Sequence, residues 1–152
     1  MTETNDLSIT RLIDAPVDVA WSVATERLAE WWCPKPWTTE IVEMDWRPGG
    51  RSAMVMHGPA GEAHAQEGVF LEVVPGKRFV FTDAYAVAWV PQGPFMTGIF
   101  DFADESGKTR YTATARHWSA EAKAQHEAMG FTPGWGAVAE QLAALVESEA
   151  KG

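Results

Sequence analysis

The chain has 152 residues, 46% hydrophobic and 22% charged, a size and composition that suit one soluble folded domain and exclude a disordered chain. Twelve Lys and Arg stand against 21 Asp and Glu, a formal net charge of -9. That surface repels phosphate backbones, and no basic stripe is interleaved with aromatics, so no nucleic acid is expected as a partner.

No apolar run approaches the length of a transmembrane helix, so no membrane span is expected. Met1 to Asp6 lacks the basic start and apolar run of a signal peptide, which makes a cytoplasmic location the expectation. Cys33 is the single cysteine and reads as a partly buried small hydrophobe. Eight tryptophans are the unusual feature of the composition. Such rings fill cores and also make good cavity walls.

In chain order, Leu7 to Ile13 alternates as a strand with Leu7, Ile9, Arg11 and Ile13 on one side. Asp14 can cap the turn that follows, and Pro16 suits the first position of a helix through Val19, Ala20 and Val23. Thr25 can cap a second short helix with Leu28, Trp31 and Trp32 on its apolar side, closed by Pro34 and Pro36. Strands are then predicted over Thr38 to Trp46, Arg51 to His57, Ala63 to Val74 and Arg78 to Asp83. Glycine and proline turns separate them, and Gly68 marks a bulge or bend. Ala84 to Pro94 reads as a loose stretch holding Tyr85 and Trp89. Phe95 to Phe102 and Thr109 to Trp118 form a last hairpin.

Ser119 is then the N-cap of a long helix, interrupted at Gly130 and Pro133. Phe131, Trp135, Val138, Leu142 and Leu145 form its apolar stripe, extended backward to Ala124 and Ala128. A helix with that stripe must dock on the sheet. The expected fold class is therefore α+β, a curved antiparallel sheet around a long C-terminal helix, in the order β-α-α-β6-α, as a single domain over 1–152. Small residues on the helix, Gly130, Gly134 and Gly136, leave room for a cavity between helix and sheet.

The sequence resembles the family named for homology to the activator of the heat-shock protein 90 ATPase, within the START-like (SRPBCC), polyketide-cyclase-related superfamily. The resemblance is carried by Arg11, Ala15-Pro16 and Val19 to Trp21, by Trp31-Trp32 and Pro34, and by Asp45-Trp46-Arg47-Pro48-Gly49-Gly50. Gly68, Glu72-Val73, Pro75, Phe81-Thr82, Thr109 to Thr114, Gly130, Gly134-Trp135 and Leu142 complete it, across residues 7 to 146. It implies a helix-grip, START-like fold with a deep pocket for lipids, polyketides or other small apolar molecules, and a homodimer among the partners, as in several related proteins. ATPase activity is not implied. No Gly-rich phosphate loop with its lysine is present, and no cofactor is expected.

The expected function is binding of a small hydrophobic or amphipathic molecule in the cavity. Two alternatives stay open: a cyclase-, dehydratase- or hydrolase-type enzyme in the same cavity, and a chaperone-related protein-interaction domain. Candidate ligand-binding residues are Trp21, Trp31, Trp32, Met54, Met56, Phe81, Trp89, Phe100, Trp118, Phe131 and Trp135. Catalytic residues are not identified. His64 and Glu67 lie three apart on a strand and face opposite ways, no HExxH spacing exists, and no metal is expected. His57, His64, His117 and His126 read as surface or pocket-rim groups. Arg116 reads as solvated charge, with Thr112, Thr114 and Trp118 on its face of the strand and Tyr111, Ala113 and His117 on the other.

Overall fold

The computed structural model describes residues 4–94 and 96–151. Strand β1 (Asn5–Ile13) buries Ile13 and half-buries Leu7, Ile9 and Arg11, the side that alternation predicts. Helix α1 (Val17–Glu26) follows. Pro16 stands one place before it, in extended backbone as the N-cap, and Asp14 makes no capping hydrogen bond. The Asp14 backbone N–H donates to Glu147 Oε2 at 2.9 Å. The second short helix is a single 3-10 turn, Leu28–Glu30. Thr25 does not cap it, because it lies in the last turn of α1 and donates back to the Trp21 carbonyl at 2.9 Å.

Strands β2 (Thr38–Met44), β3 (Arg51–His57), β4 (Ala63–Val74) and β5 (Arg78–Thr82) come next. A small hairpin, β6 (Tyr85–Ala86) and β7 (Val90–Pro91), gives form to the stretch expected to be loose. Strands β8 (Met96–Glu105) and β9 (Lys108–His117) complete the set, and Phe95, expected to open β8, lies outside the described residues. Seven strands make one antiparallel sheet in the order β1-β9-β8-β5-β4-β3-β2. The register slips at Val42 and Leu71, whose side chains are exposed, as an extra residue in a ladder allows. Gly68 is thus not the bulge. It lies where the Thr82 carbonyl crosses so closely that an added Cβ would sit 2.2 Å from the oxygen.

Ser119 Oγ accepts from the Ala122 N–H at 3.0 Å and caps helix α2 (Ala120–Ala128) as expected. The expected long helix is divided. Gly130, at φ +95°, turns the chain between α2 and α3 (Phe131–Lys151), and Pro133 sits in the first turn of α3, where its missing N–H does no harm. In α3 the stripe docks on the sheet, with Phe131 and Leu142 buried and Trp135, Val138 and Leu145 half-buried. The backward extension fails at the same break. Ala124 and Ala128 face solvent, and α2 buries His126 instead.

The densest packing lies toward α1. Trp21 stands edge-on to Phe79 and Phe102, Trp46 packs on Phe70 and Phe79, and Trp31 is fully buried with its Nε1–H donated to the Ala24 carbonyl at 3.0 Å. At the α2–α3 junction Gly130 and Gly134 stand beside Phe131 and Trp135, and open space remains between this junction and the sheet.

Candidate functional site

A cavity of about 670 Å³ lies between the inner face of β3, β4, β5, β8 and β9, the Trp32–Pro34 segment, and the α2–α3 junction. That volume is within the range of small-molecule sites. One wall is a near-parallel series of rings: Phe81 to Phe100 at 5.9 Å and 14°, then Phe100 to Trp135 at 5.9 Å and 12°. Gly98 makes this possible, since a Cβ there would press within 2.6 Å of the Phe81 ring. Trp32 covers the ladder from the side, 5.4 Å from Phe100. Its loop is clamped to α3 by Gln141, whose Nε2 donates to the Trp31 and Cys33 carbonyls at 3.2 and 2.7 Å. Gly134 and Gly130 supply open space on the helical side.

Polar groups gather in two places. At the mouth, Gln92 donates to the Glu67 and Asp83 carbonyls at 2.9 and 3.1 Å, pinning the β6–β7 hairpin to the sheet. The Glu67 carboxylate is gripped by Arg51 through two bonds of 2.8 Å, which hold its pKa below the usual range. The Asp83 Oδ1 accepts from the Met96 N–H at 3.3 Å. On the interior side stand Tyr111, whose phenol is pushed well up by burial, and His126.

His126 Nδ1 lies 2.8 Å from His117 Nε2, and His117 Nδ1 lies 2.8 Å from the Asn5 carbonyl. Both imidazoles are buried, contrary to the expectation of surface or rim histidines. Strand parity held the signal for His117, which shares the inward face with Tyr111 and Ala113. For His126 there was no such signal, because its inward turn depends on the helix break at Gly130. Desolvation, then the neighbouring His117, push the His126 pKa down to about 4.

Of the ligand-binding candidates, Trp32, Met56, Phe81, Phe100, Phe131 and Trp135 line the cavity. Trp21 and Trp31 belong to the core beside α1. Met54 lines, with Met44 and Trp46, a void of about 10 Å³, too small for an organic ligand. Trp89 is exposed on the hairpin, its ring above Gly49. Trp118 is exposed as well, because it follows the outward parity of Arg116. Arg116 is indeed on the outer face, paired with Asp6 at 2.9 Å. Cys33 is buried at the cavity edge, its thiol pKa raised by desolvation. Among the described residues no group of three or more His, Cys, Asp and Glu could hold a metal ion, and no helix is long and apolar enough to cross a membrane.

A protein of Nitrosomonas europaea of known crystal structure is similar at 38% identity, covering 95% of each chain with a TM-score of 0.89. A protein of Mycobacterium smegmatis is similar at 29% identity, with 95% of each chain covered and a TM-score of 0.77. A Silicibacter pomeroyi protein at 20% identity shares the fold, over 95% of this chain and 99% of its own, with a TM-score of 0.70. No curated protein matches. The model of the family described as activator of Hsp90 ATPase homolog 1-like protein matches residues 14–147, and with this START-like sheet and C-terminal helix the chain belongs to that family.

Proposed function

We propose that this chain, acting in the cytoplasm as a single START-like domain, binds a small apolar or amphipathic molecule in the cavity between sheet and C-terminal helix. The supporting observation is the parallel ring ladder of Phe81, Phe100 and Trp135 along a cavity of about 670 Å³. Flat apolar surface beside a few fixed polar groups is the usual character of a small-molecule site. Native mass spectrometry of freshly purified protein, followed by organic extraction, tests the proposal. A reproducible small molecule, depleted in a Gly134→Phe variant that places a bulky ring in the cavity, is the expected result. The same molecule on both proteins would contradict the assignment to this cavity. A molecule that leaves chemically changed would favour the enzyme reading over simple binding.

A second reading, protein interaction or a homodimer, draws on one observation. Tyr85, Val87, Trp89 and Val90 are all exposed on a single short hairpin segment. Sedimentation of the wild type and Trp89→Ser decides it, since a dimer built on this surface dissociates more readily in the variant. Monomer at all concentrations for both proteins would reject the homodimer.

A further inference from the structure

A tyrosine hydroxyl carried into a protein interior ordinarily finds a partner, because an unbonded one loses its water and receives nothing in exchange. Tyr111 departs from this rule. It stands within β9, opposite Arg11 on β1 and Phe102 on β8, and is only 1% exposed. Trp31, perpendicular to its ring at 6.3 Å, and Phe102 at 5.4 Å hold that ring in place. No described residue bonds its Oη, and burial alone acts on the phenol. Among the described residues no side-chain nitrogen or oxygen is at once sealed off and unbonded. The Tyr111 Oη is therefore open to the space this residue borders, which is the cavity.

We propose that the Tyr111 hydroxyl anchors an uncharged carbonyl group carried on an apolar body, donating its O–H to the carbonyl oxygen. This rests on the proposed binding function and adds the polar chemistry of the ligand to it. Two observations point to an acceptor without charge. Burial pushes the phenol pKa well up, so the oxygen keeps its proton at neutral pH and can donate. Among the described residues that line the cavity there is no Lys or Arg, so a carboxylate brought inside would meet no opposite charge. Arg51, which grips Glu67, has Nε, Nη1 and Nη2 engaged with Glu67 and Glu43. A ketone or ester satisfies the phenol with no charge to desolvate. No covalent step is involved.

The pair 2-acetylnaphthalene and 2-isopropenylnaphthalene, alike in shape but carrying C=O and C=CH2 at the same place, tests this by titration at pH 7.5 with tryptophan fluorescence as the readout. Each ligand is compared between wild type and Tyr111→Phe, so the different hydration of the two ligands cancels. The variant is expected to bind the ketone roughly tenfold more weakly, the effect of one buried hydrogen bond, and the alkene within about twofold of the wild type. An unchanged ketone affinity, or an equal loss for both ligands, would overturn the inference and leave the binding function standing. Failure of both probes to bind the wild type would overturn both. The anion 2-naphthoate should bind the wild type at least about tenfold less tightly than the ketone, and equal binding would overturn the uncharged class. The infrared C=O band of the bound ketone should lie lower in frequency on the wild type than on Tyr111→Phe, and coincident bands would overturn the assignment. The ligand-free variant should melt no lower than the wild type, because no protein hydrogen bond is lost. A clearly lower Tm would mean that Oη serves the fold and would overturn the inference.

Discussion

Replacing Gly134 by leucine separates stability from binding. Gly134 lies inside α3 and lines the cavity, and an added Cβ there meets nothing within 4 Å. A glycine in a helix costs about 0.8–1.0 kcal/mol relative to alanine, and leucine is close to alanine on the same scale. The leucine side chain also covers wall area now facing the cavity, at about 0.8 kcal/mol per buried methylene for the part that docks. The expected sum is a gain of about 1–2 kcal/mol, or a rise of roughly 2–6 °C in Tm for a chain this long. Binding of 2-methoxynaphthalene should fall at least tenfold, as the new side chain occupies its space. Gly136→Ala is the control, because it gains helix propensity at an equally open position that does not line the cavity. Urea denaturation and fluorescence titration measure the two effects. If Gly134→Leu destabilises the fold, or stabilises it with binding intact, the account of an unfilled cavity over Gly134 is refuted.

Acid should weaken the fold through His126. Its folded pKa of about 4 lies below the ordinary 6.5, so the unfolded chain takes up the proton first as pH falls. The stability of keeping this ring neutral is complete above 6.5 and disappears on descent toward 4, with a loss of up to about 3 kcal/mol. Urea midpoints at pH 7.5 and 5 should diverge less in His126→Phe than in the wild type, and an equal divergence would assign the acid effect elsewhere. Gly68→Ala forces a methyl group against the Thr82 carbonyl and should destabilise by about 2 kcal/mol or more in the same assay. A neutral outcome would mean that β4 and β5 separate easily at this crossing. Arg11→Gln removes the 2.6 Å ion pair with Glu140 between β1 and α3, but the pair is exposed enough that the loss should stay below about 1 kcal/mol. A larger loss would make that pair a main anchor of the helix.

Periodicity made most of the architecture legible. Two-residue alternation identified β1 and the inward face of β9, and the Phe131 to Leu145 stripe identified the docking face of α3, because side-chain direction follows directly from backbone repeat. Capping was legible at Ser119, where the side chain and the helix start coincide. It failed at Asp14, which gives α1 no side-chain cap, and at Thr25, whose hydroxyl bonds back to a carbonyl of its own helix. Half of the site was legible in the same uneven way. Phe81, Phe100 and Trp135 reach the cavity because their elements face it. Trp21 and Trp31 look no different in sequence, yet α1 and the 3-10 turn bring them into closed packing. Trp118 shares the outward parity of Arg116, and its aromatic character does not bring it to the cavity. The histidine pair depends on a helix break, a strand end and a carbonyl of β1 meeting in space, and no local pattern encodes that meeting.

The most direct test of the cavity assignment uses the methionine methyl groups. Met56, Met96 and Met129 line the cavity, whereas Met44 and Met54 line the small void in the packed core. Carbon-13 methyl spectra, recorded during titration with 2-methoxynaphthalene, report each position separately. The account predicts saturable shifts at Met56, Met96 and Met129, with Met44 and Met54 unmoved. Shifts confined to Met44 and Met54, or none at saturating probe, would contradict a ligand site between this sheet and its C-terminal helix.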